Sequence, residues 1–358
     1  MVRVIAMFNH KGGVSKTTTT FHLAWKLARL GKRVLMVDAD PQCNLTGLTL
    51  GIGDYDSLFR FYDSRRNNDV FSALAPVFRM SSGLNKDIAS FDSTPVDRNG
   101  NLRLLAGHVR FAEFDVQVAT AITTSENIPV LRDFVGAFDK LIRGVANQMD
   151  ADIVMIDMGP SISSTNMCLL MGADNFIIPT YPDFYCYQAM DSLADVFPKW
   201  AEKTKSFKDG GVLPRGNPQM LGVISSNYRV YTTDKDAEQK TMTAEFKKWA
   251  EKIKKITNER LVPMLQPYQM VVSRETFANN VAYDSPYNLA NIQDLNNLMA
   301  LHQKLSKPVF EITEEEYGSG APWYHVQNGK PAGAKITIAE VDKVYDNMAK
   351  SVLGMLGM

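Results

Sequence analysis

The stretch Val2–Thr20, which reads VRVIAMFNHKGGVSKTTTT, constrains the possible folds more than any other part of this chain. It opens with a nearly continuous apolar run, which predicts a central parallel strand that is buried on both faces. A tight turn with the adjacent glycines Gly12 and Gly13 follows. From Lys16, apolar residues recur at helical spacing up to Gly31, a residue typical of a helix end. The stretch therefore predicts a strand, a glycine loop and a helix in direct succession.

This succession has the geometry of a site for nucleotide phosphates. Backbone N–H groups of such a loop, and of the helix N-terminus after it, point at an anion. Lys16 would lie between the outer phosphates, and the hydroxyl of Thr17 would ligate Mg²⁺. An ordinary strand–turn–helix is the other interpretation of the pattern, and the lysine–threonine pair at the helix start favours the phosphate site.

The loop departs from the standard pattern G-x-x-x-x-G-K-[ST], because His10 and Ser15 occupy its two glycine positions. The remaining KGGVSKTT resembles the deviant P-loop of the ParA/MinD family of ATPases, KGGVGKTT. A serine at position 15 would cost about 1–2 kcal/mol if the loop needs a positive φ there. The resemblance implies that Lys11 reaches across a dimer interface to the partner's nucleotide. It also implies that ATP is held by the loop and the helix start, at Lys11, Gly12, Gly13, Val14, Ser15, Lys16, Thr17 and Thr18.

A second motif follows the next buried strand, Arg33–Asp38, and reads VDADPQ. Two carboxylates two residues apart, Asp38 and Asp40, point into the crevice where open α/β sheets bind their ligands. The run VLMVDADPQ resembles the second motif of the family, VDxDPQ. The resemblance implies that Asp40 positions the hydrolytic water and that Asp38 supports the Mg²⁺ environment. A helix N-cap or an acidic turn is the alternative.

Two later strands also end in polar residues. The strand Ala151–Met158 ends at Asp157, an acidic residue that can hold Mg²⁺ through Thr17 or a water molecule. The block NMCLLMGADNFIIPTYPDFYCYQAMDSL then resembles the family consensus that borders the dimer interface. By the same resemblance, Asn227, after the strand Met220–Ser225, contacts the adenine base; an ordinary turn residue is the alternative.

Composition limits the remaining possibilities. Lys plus Arg and Asp plus Glu both number 39, so no global basic field attracts the chain to nucleic acid or membrane. No apolar run reaches transmembrane length. The three cysteines Cys43, Cys168 and Cys186 are scattered, as expected for reduced thiols in a cytoplasm, and no pattern for an iron–sulfur cluster is present.

Residues 48–125 are predicted to form a surface excursion, since Ser81–Gly100 is rich in Ser, Asp, Asn and Gly. Within it, Val70–Phe78 is predicted to be helical and Leu102–Leu105 to be a strand. His108 follows that strand. As a lone loop histidine it is more often a surface or capping residue than a switch or a base.

The predicted helix Lys235–Ile256 carries many lysines interleaved with acidic residues. A solvated face of salt bridges is one interpretation. The resemblance implies another, nonspecific binding of double-stranded DNA by an ATP-bound dimer, in which Arg229, Arg260 and Arg274 would join the lysines. Phosphate contacts of this kind would depend strongly on salt concentration.

Residues 285–358 are predicted to be a C-terminal helical extension. Asp294–Leu305 is predicted to be a helix, Lys307–Phe310 a short strand, and Glu314–Gly333 a loop. The last helix, Ile338–Met358, has one apolar face. MinD proteins end in a membrane-binding amphipathic helix, but such a helix needs several basic residues on its polar face. We therefore predict a helix packed against the core.

Together these patterns predict a single domain over residues 1–358, a doubly wound, mostly parallel α/β sheet with helices on both faces. The resemblance is specific over residues 1–50 and 151–195. It implies a slow, Mg²⁺-dependent ATPase, cytoplasmic or nucleoid-associated, which closes into a homodimer on ATP binding and works with a protein activator in DNA partition or positioning. Two alternatives stay open: an ATP switch that regulates a protein partner without a partition role, and a membrane-associated positioning ATPase.

Overall fold

The computed structural model describes residues 2–64, 68–79, 93–97, 99–228, 230–231, 241–242, 244–282, 285–295, 297–318, 322–327 and 330–358. In this part of the chain, eight strands form a central sheet in the order β10-β7-β6-β1-β5-β2-β4-β3. All neighbours pair in parallel except β3 and β4, which are antiparallel. The strands are β1 (Arg3–Met7), β2 (Val34–Ala39), β3 (Thr94–Pro95), β4 (Leu102–Leu105), β5 (Ile153–Met158), β6 (Asn175–Thr180), β7 (Gln219–Tyr228), β8 (Val230–Tyr231), β9 (Thr241–Met242), β10 (Asn288–Gln293), β11 (His325–Gln327) and β12 (Lys330–Ala332).

Helices connect the strands and cover the sheet. They are α1 (Lys16–Arg29), α2 (Asn44–Leu50), α3 (Tyr55–Ser64), α4 (Val70–Phe78), α5 (Phe114–Thr124), α6 (Arg132–Gln148), α7 (Ser164–Gly172), α8 (Phe184–Asp209), α9 (Ala244–Ile256), α10 (Val262–Leu265), α11 (Arg274–Asn280), α12 (Asn297–Leu305), α13 (Glu314–Tyr317) and α14 (Ala334–Leu356). A π-helical turn, Thr257–Leu261, continues α9, and short 3₁₀ turns lie at Val109–Glu113, Pro129–Leu131, Gln266–Tyr268 and Val309–Glu311.

The core lies between the sheet and these helices. Strands β2, β5 and β6 are buried along their whole length, as expected when helices cover both faces of a parallel sheet. Helix α1 packs on β2, β5 and α14, while α6 packs with α4, α5 and α7. This confirms the predicted doubly wound, mostly parallel α/β fold.

Parallel pairing brings the carboxyl ends of the central strands to one edge of the sheet. Asp38 on β2 is the direct neighbour of Asp157 on β5, and Asp157 is in turn level with Met7, the last residue of β1. The glycine loop leaves β1 at this same edge. The sheet therefore places the loop and both acidic strand ends together, although Asp157 lies more than 100 residues after the other two in sequence.

Several predicted elements differ from the observed ones. The predicted strand Lys307–Phe310 is wrong, because Val309–Glu311 forms a 3₁₀ turn that follows Pro308. The predicted loop Glu314–Gly333 contains α13 and the hairpin of β11 and β12. The predicted helix Lys235–Ile256 begins only at Ala244, after the short strand β9, and residues 232–240 lie outside the described part of the chain.

The last helix follows the prediction of a packed helix. Val341, Tyr345, Met348 and Val352 are buried on one face of α14, which contacts α1, α11 and β10. No helix in the described ranges is long and apolar enough to cross a membrane.

Candidate functional site

The glycine loop connects β1 to α1 through two residues in the left-handed region. Gly13 has a φ of 74°, and Ser15, the N-cap of α1, has a φ of 65° and a ψ of 30°. Val14 between them is buried and anchors the loop. Ser15 therefore does occupy a positive-φ position, where a side chain with a Cβ costs roughly 1–2 kcal/mol.

Lys16 is the first residue of α1 and is almost completely buried. Its Nζ donates a hydrogen bond to the backbone carbonyl of Lys11 at 3.2 Å, so the side chain folds back over the loop. Burial lowers the pKa of the Lys16 ammonium, and the carboxylates of Asp157 and Asp40 partly offset this effect. A desolvated ammonium above a loop of backbone N–H groups is suited to binding an anion.

Thr17 and Asp157 join the start of α1 to the end of β5. The Thr17 hydroxyl donates to Oδ2 of Asp157 at 2.6 Å. The other carboxylate oxygen, Oδ1, is buried and has no hydrogen-bond partner among the described residues. Burial, and then the neighbouring Asp38 carboxylate, raise the pKa of Asp157 to about 8. A buried carboxylate with one unused oxygen beside a threonine hydroxyl is suited to a cation ligand.

Asp38 is fully buried, and hydrogen bonds reach both of its carboxylate oxygens. Oδ2 accepts from the backbone N–H and the hydroxyl of Thr46, each at 2.7 Å, and Oδ1 accepts from the backbone N–H of Asp40 at 3.2 Å. Burial raises the pKa of Asp38 to about 6, although the bonds from Thr46 lower it. Asp38 therefore has less capacity left for a metal ion than Asp157 has.

Asp40 lies at the wall of a cavity of about 1100 Å³ that adjoins the glycine loop. Its Oδ1 accepts the backbone N–H of Gln42 at 2.9 Å. A Cβ at position 159, just after β5, would lie only 3.3 Å from the same oxygen. The glycine found there therefore avoids a close contact with the Asp40 carboxylate. The cavity is lined mostly by residues 12–18 of the loop and α1, by residues 40, 42–44, 47–48 and 51–54 around α2, and by residues 299 and 302–304 of α12.

Comparison with known proteins agrees with this geometry. The model of the AAA_31 family, an AAA domain, matches residues 2–208, which is more than half of the chain. The chain belongs to this family, and within it to the ParA/MinD family of P-loop ATPases.

Two curated relatives share about 30% of their aligned residues with this ParA/MinD-family chain. The chromosome-partitioning ATPase Soj of Thermus thermophilus is 30% identical over 192 residues, which is 54% of this chain and 60% of that protein. The chromosome partitioning protein ParA of Caulobacter vibrioides is 30% identical over 193 residues, 54% of this chain and 61% of that protein. The chain thus spans about three fifths of the length of these relatives.

A solved structure extends the likeness of fold beyond the matched segment. Protein DIP2308 of Corynebacterium diphtheriae superposes with a TM-score of 0.58 at 20% identity, covering 85% of this chain and 97% of that one. At this identity the similarity concerns the fold alone.

Lys11, the lysine ahead of the glycine pair, forms an ion pair within the chain. Its Nζ lies 2.6 Å from Oδ2 of Asp183 and 5.3 Å from the centre of the Tyr181 ring. Asp183 is also the N-cap of α8, where Oδ1 accepts the backbone N–H of Cys186 at 2.7 Å. The sequence does not indicate a role for Asp183, because its only signal is an acidic residue three positions after NFIIPT.

Two further residues were missed, Thr46 and Gly107. A Cβ at Gly107 would lie 2.8 Å from the Asp38 carboxyl carbon, and the Gly107 N–H donates to the Thr46 hydroxyl at 2.8 Å. The available signals, a threonine eight residues after Asp38 and a glycine after LLA, are too common to indicate a site.

Two other residues singled out from the sequence are Asn227 and His108. Asn227 lies near the end of β7, but its side chain is outside the described part of the structure. His108 is a capping residue, as favoured: its Nδ1 accepts the backbone N–H of Arg110 at 3.0 Å, and its ring stacks on Tyr62 and Phe71.

Several of the candidate DNA-binding residues already form ion pairs with acidic side chains of this chain. Arg260 pairs with Asp191 and Asp195 on α8, so its charge is offset by two carboxylates. Arg229 and Lys240 lie outside the described residues. On α9, Lys254 and Lys255 pair with acidic neighbours, while Lys252 lies over the Trp249 ring at 4.4 Å. The described part of this surface therefore resembles a solvated face of ion pairs, which was the first of the two interpretations.

Proposed function

We propose that this protein is a Mg²⁺-dependent ATPase that acts as a nucleotide-controlled dimerisation switch in DNA partition or intracellular positioning. One observation carries the proposal: Lys16, Thr17 and Asp157 converge on the glycine loop at the edge of a cavity large enough for a nucleotide. The names of the curated relatives, a chromosome-partitioning ATPase and a chromosome partitioning protein, support the cellular role.

The loop would bind the phosphates of ATP. Backbone N–H groups from Gly12 to Thr18 would surround the phosphate oxygens, and the Lys16 ammonium would offset their charge. Because Lys16 is desolvated, its attraction for an anion is stronger than that of a surface lysine. Removal of this one side chain should therefore abolish nucleotide binding.

The residues at the strand ends also fit a magnesium ion. Among the described residues no group of three His, Cys, Asp or Glu side chains could enclose a metal. Mg²⁺ needs fewer protein ligands, since it keeps several waters and binds phosphate oxygens. Thr17 and Asp157 would hold the ion, directly or through water. Asp38, the strand neighbour of Asp157, would add negative charge near the ion without binding it directly. When bound, the ion would neutralise charge that develops on the phosphates.

Asp40 would orient the attacking water. It lies on the cavity wall, and its carboxylate is fixed by the backbone N–H of Gln42. A carboxylate held in this way positions water without needing a large conformational change. We expect slow turnover, which suits a switch better than a metabolic enzyme.

Dimerisation would bring Lys11 to the nucleotide of the partner subunit. The surface around its present partner, Asp183, supports such a contact, because the neighbouring Phe184 and Tyr185, whose rings touch, are 47% and 67% exposed. Large apolar side chains that share one exposed region often mark a protein interface. Lys11 would then exchange Asp183 for the partner's phosphates.

The second candidate keeps the switch without DNA. The zero net charge, and the pairing of Arg260 with two aspartates, reduce the positive charge that nonspecific DNA binding would use. The protein would then regulate a protein partner in its ATP-bound state.

The deciding experiment combines dimerisation with DNA binding. Wild type, Lys16→Ala and the control Lys343→Ala, which removes an exposed lysine of α14, are compared with ATP and with ADP. Sedimentation gives the oligomeric state, and binding to random duplex DNA is measured at low and moderate salt. An ATP-dependent dimer that only Lys16→Ala abolishes supports the switch. Salt-sensitive, ATP-dependent DNA binding supports partition, and a dimer without it supports the second candidate. A dimer indifferent to nucleotide contradicts both.

A further inference from the structure

Thr46 is a buried residue of α2 that joins Asp38 to the end of β4. Its backbone N–H and its hydroxyl both donate to Oδ2 of Asp38 at 2.7 Å. The backbone N–H of Gly107 donates to the same hydroxyl at 2.8 Å. The end of β2, helix α2 and the segment after β4 therefore meet at one side-chain oxygen, although Gly107 lies 61 residues after Thr46.

The direction of these hydrogen bonds is fixed. A hydroxyl has one proton to donate and lone pairs to accept with. Because the Gly107 N–H already occupies a lone pair of the Thr46 oxygen, the single hydroxyl proton is directed to Asp38. Residue 107 must also be small, since a Cβ there would lie 2.8 Å from the Asp38 carboxyl carbon and 3.1 Å from its backbone oxygen.

Asp38 in turn is hydrogen-bonded to the backbone of Asp40. The second carboxylate oxygen of Asp38 accepts the backbone N–H of Asp40 at 3.2 Å. This bond fixes the peptide that carries the Asp40 side chain at the cavity wall. A continuous series of hydrogen bonds thus runs from Gly107 through Thr46 and Asp38 to Asp40.

We propose that Thr46 is a positioning residue for hydrolysis. Its hydroxyl holds Asp38, and through Asp38 the peptide of Asp40, in the orientation that aligns the attacking water. This inference rests on the proposed ATPase function. Thr46 is not among the described residues that line the cavity, and its hydrogen bonds go to Asp38 and Gly107 rather than to the loop. Loss of its hydroxyl should therefore slow hydrolysis and leave phosphate binding in place.

The chain offers a matched control in the same helix. Thr49 is also buried in α2, and its hydroxyl has no hydrogen-bond partner among the described residues. Replacement by valine removes one hydroxyl from α2 at either position, at nearly constant volume. Only the change at Thr46 breaks the series of hydrogen bonds to Asp40.

The test compares full-length wild type, Thr46→Val, Thr46→Ser and Thr49→Val. For each we measure kcat and KM for ATP with Mg²⁺, the Kd of ADP, and the melting temperature without nucleotide. Thr46→Val should lower kcat at least tenfold and change the Kd of ADP less than threefold. Thr46→Ser, which keeps the hydroxyl, and Thr49→Val should both keep kcat within threefold of wild type. If Thr46→Val does not fold, Thr46→Ala is the replacement variant.

Two outcomes would overturn the assignment. One is a kcat within threefold of wild type for Thr46→Val. The other is a parallel loss of kcat, ADP affinity and melting temperature in both Thr46 variants, which would show that the residue only holds α2 on the sheet. If wild type itself does not hydrolyse ATP, the proposed function fails and this inference fails with it. Normal hydrolysis by wild type and Thr46→Val alike would remove only the inference.

Discussion

Lys11 and Asp183 form an ion pair of 2.6 Å between the glycine loop and the first turn of α8. Both side chains are partly exposed, at 21% and 29%, so the pair stabilises the subunit by only about 0–1 kcal/mol. A contact this weak can hold Lys11 in its own subunit and still yield to a partner's phosphates. The pair therefore competes with the proposed dimer contact.

The first prediction concerns this competition. Asp183→Asn removes the charge but keeps an N-cap for α8, so Lys11 is released without loss of the helix start. We expect the ATP concentration for half-maximal dimerisation to fall by up to about fivefold, which corresponds to about 1 kcal/mol. Analytical ultracentrifugation across an ATP titration measures it. Asp209→Asn, which removes an exposed pair at the other end of α8, is the control. A higher midpoint for Asp183→Asn would contradict the prediction.

The second prediction concerns Ser15. Its φ of 65° strains a side chain with a Cβ by about 1–2 kcal/mol, while glycine costs about 0.5–1 kcal/mol of chain entropy. Ser15→Gly should therefore stabilise the protein slightly, by about 0.5–1 kcal/mol. Gly13→Ser makes the opposite change at a φ of 74° and should destabilise it. Differential scanning calorimetry compares the melting temperatures, and a lower one for Ser15→Gly would refute the strain argument.

The third prediction concerns the buried charge of Asp157. Because its pKa is raised to about 8, the folded protein binds a proton that the unfolded chain releases near pH 4. The stability of the ligand-free protein should therefore fall as pH rises from about 4 to 8, and this fall should be smaller in Asp157→Asn. Thermal melts over that pH range measure the effect. The same variant should lose the Mg²⁺ dependence of nucleotide binding.

An exposed aspartate provides the comparison for that experiment. Asp133→Asn, on the solvent side of α6, should keep the pH dependence of wild type. If Asp157→Asn and Asp133→Asn gave the same pH profile, the buried carboxylate would not be the source of the instability.

The fourth prediction concerns Lys208, a buried lysine of α8. Its Nζ donates to the carbonyl of Gly216 at 2.5 Å and to Oδ1 of Asn217 at 2.7 Å, and burial lowers its pKa to about 8. The unfolded chain then binds a proton that the folded protein has released between pH 8 and 10.5, so stability rises with pH there. Between pH 7.5 and 9.5, wild type should gain about 1–2 kcal/mol relative to Lys208→Met.

Urea denaturation of both proteins at the two pH values measures this difference. Lys205→Met, which removes an exposed lysine one turn earlier in α8, should show no such gain relative to wild type. A constant difference between wild type and Lys208→Met across the pH range would mean that the buried lysine keeps its charge.

The sequence failed to indicate β10, and the reason is physical. Its residues NLANIQ include two asparagines and a glutamine, so neither alternation nor an apolar run marks a strand. The strand forms at the edge of the sheet, where it pairs with β7 on one side. Backbone hydrogen bonds to β7 hold it there, and such bonds leave no pattern in the side chains. The buried strands β2 and β5 carry long apolar runs, and their predicted bounds agree with the observed ones to within two residues.

Local sequence patterns are enough to predict the glycine loop, the helix after it and the acidic residues at two strand ends. Each of these depends on neighbours in the chain: apolar runs, glycines, and a lysine–threonine pair at a helix start. Which side chains come into contact, by contrast, depends on how the strands and helices pack. The bond between Gly107 and Thr46 and the ion pair of Lys11 with Asp183 join segments that are 61 and 172 residues apart. Such contacts leave no local pattern, because they depend on the strand order of the sheet.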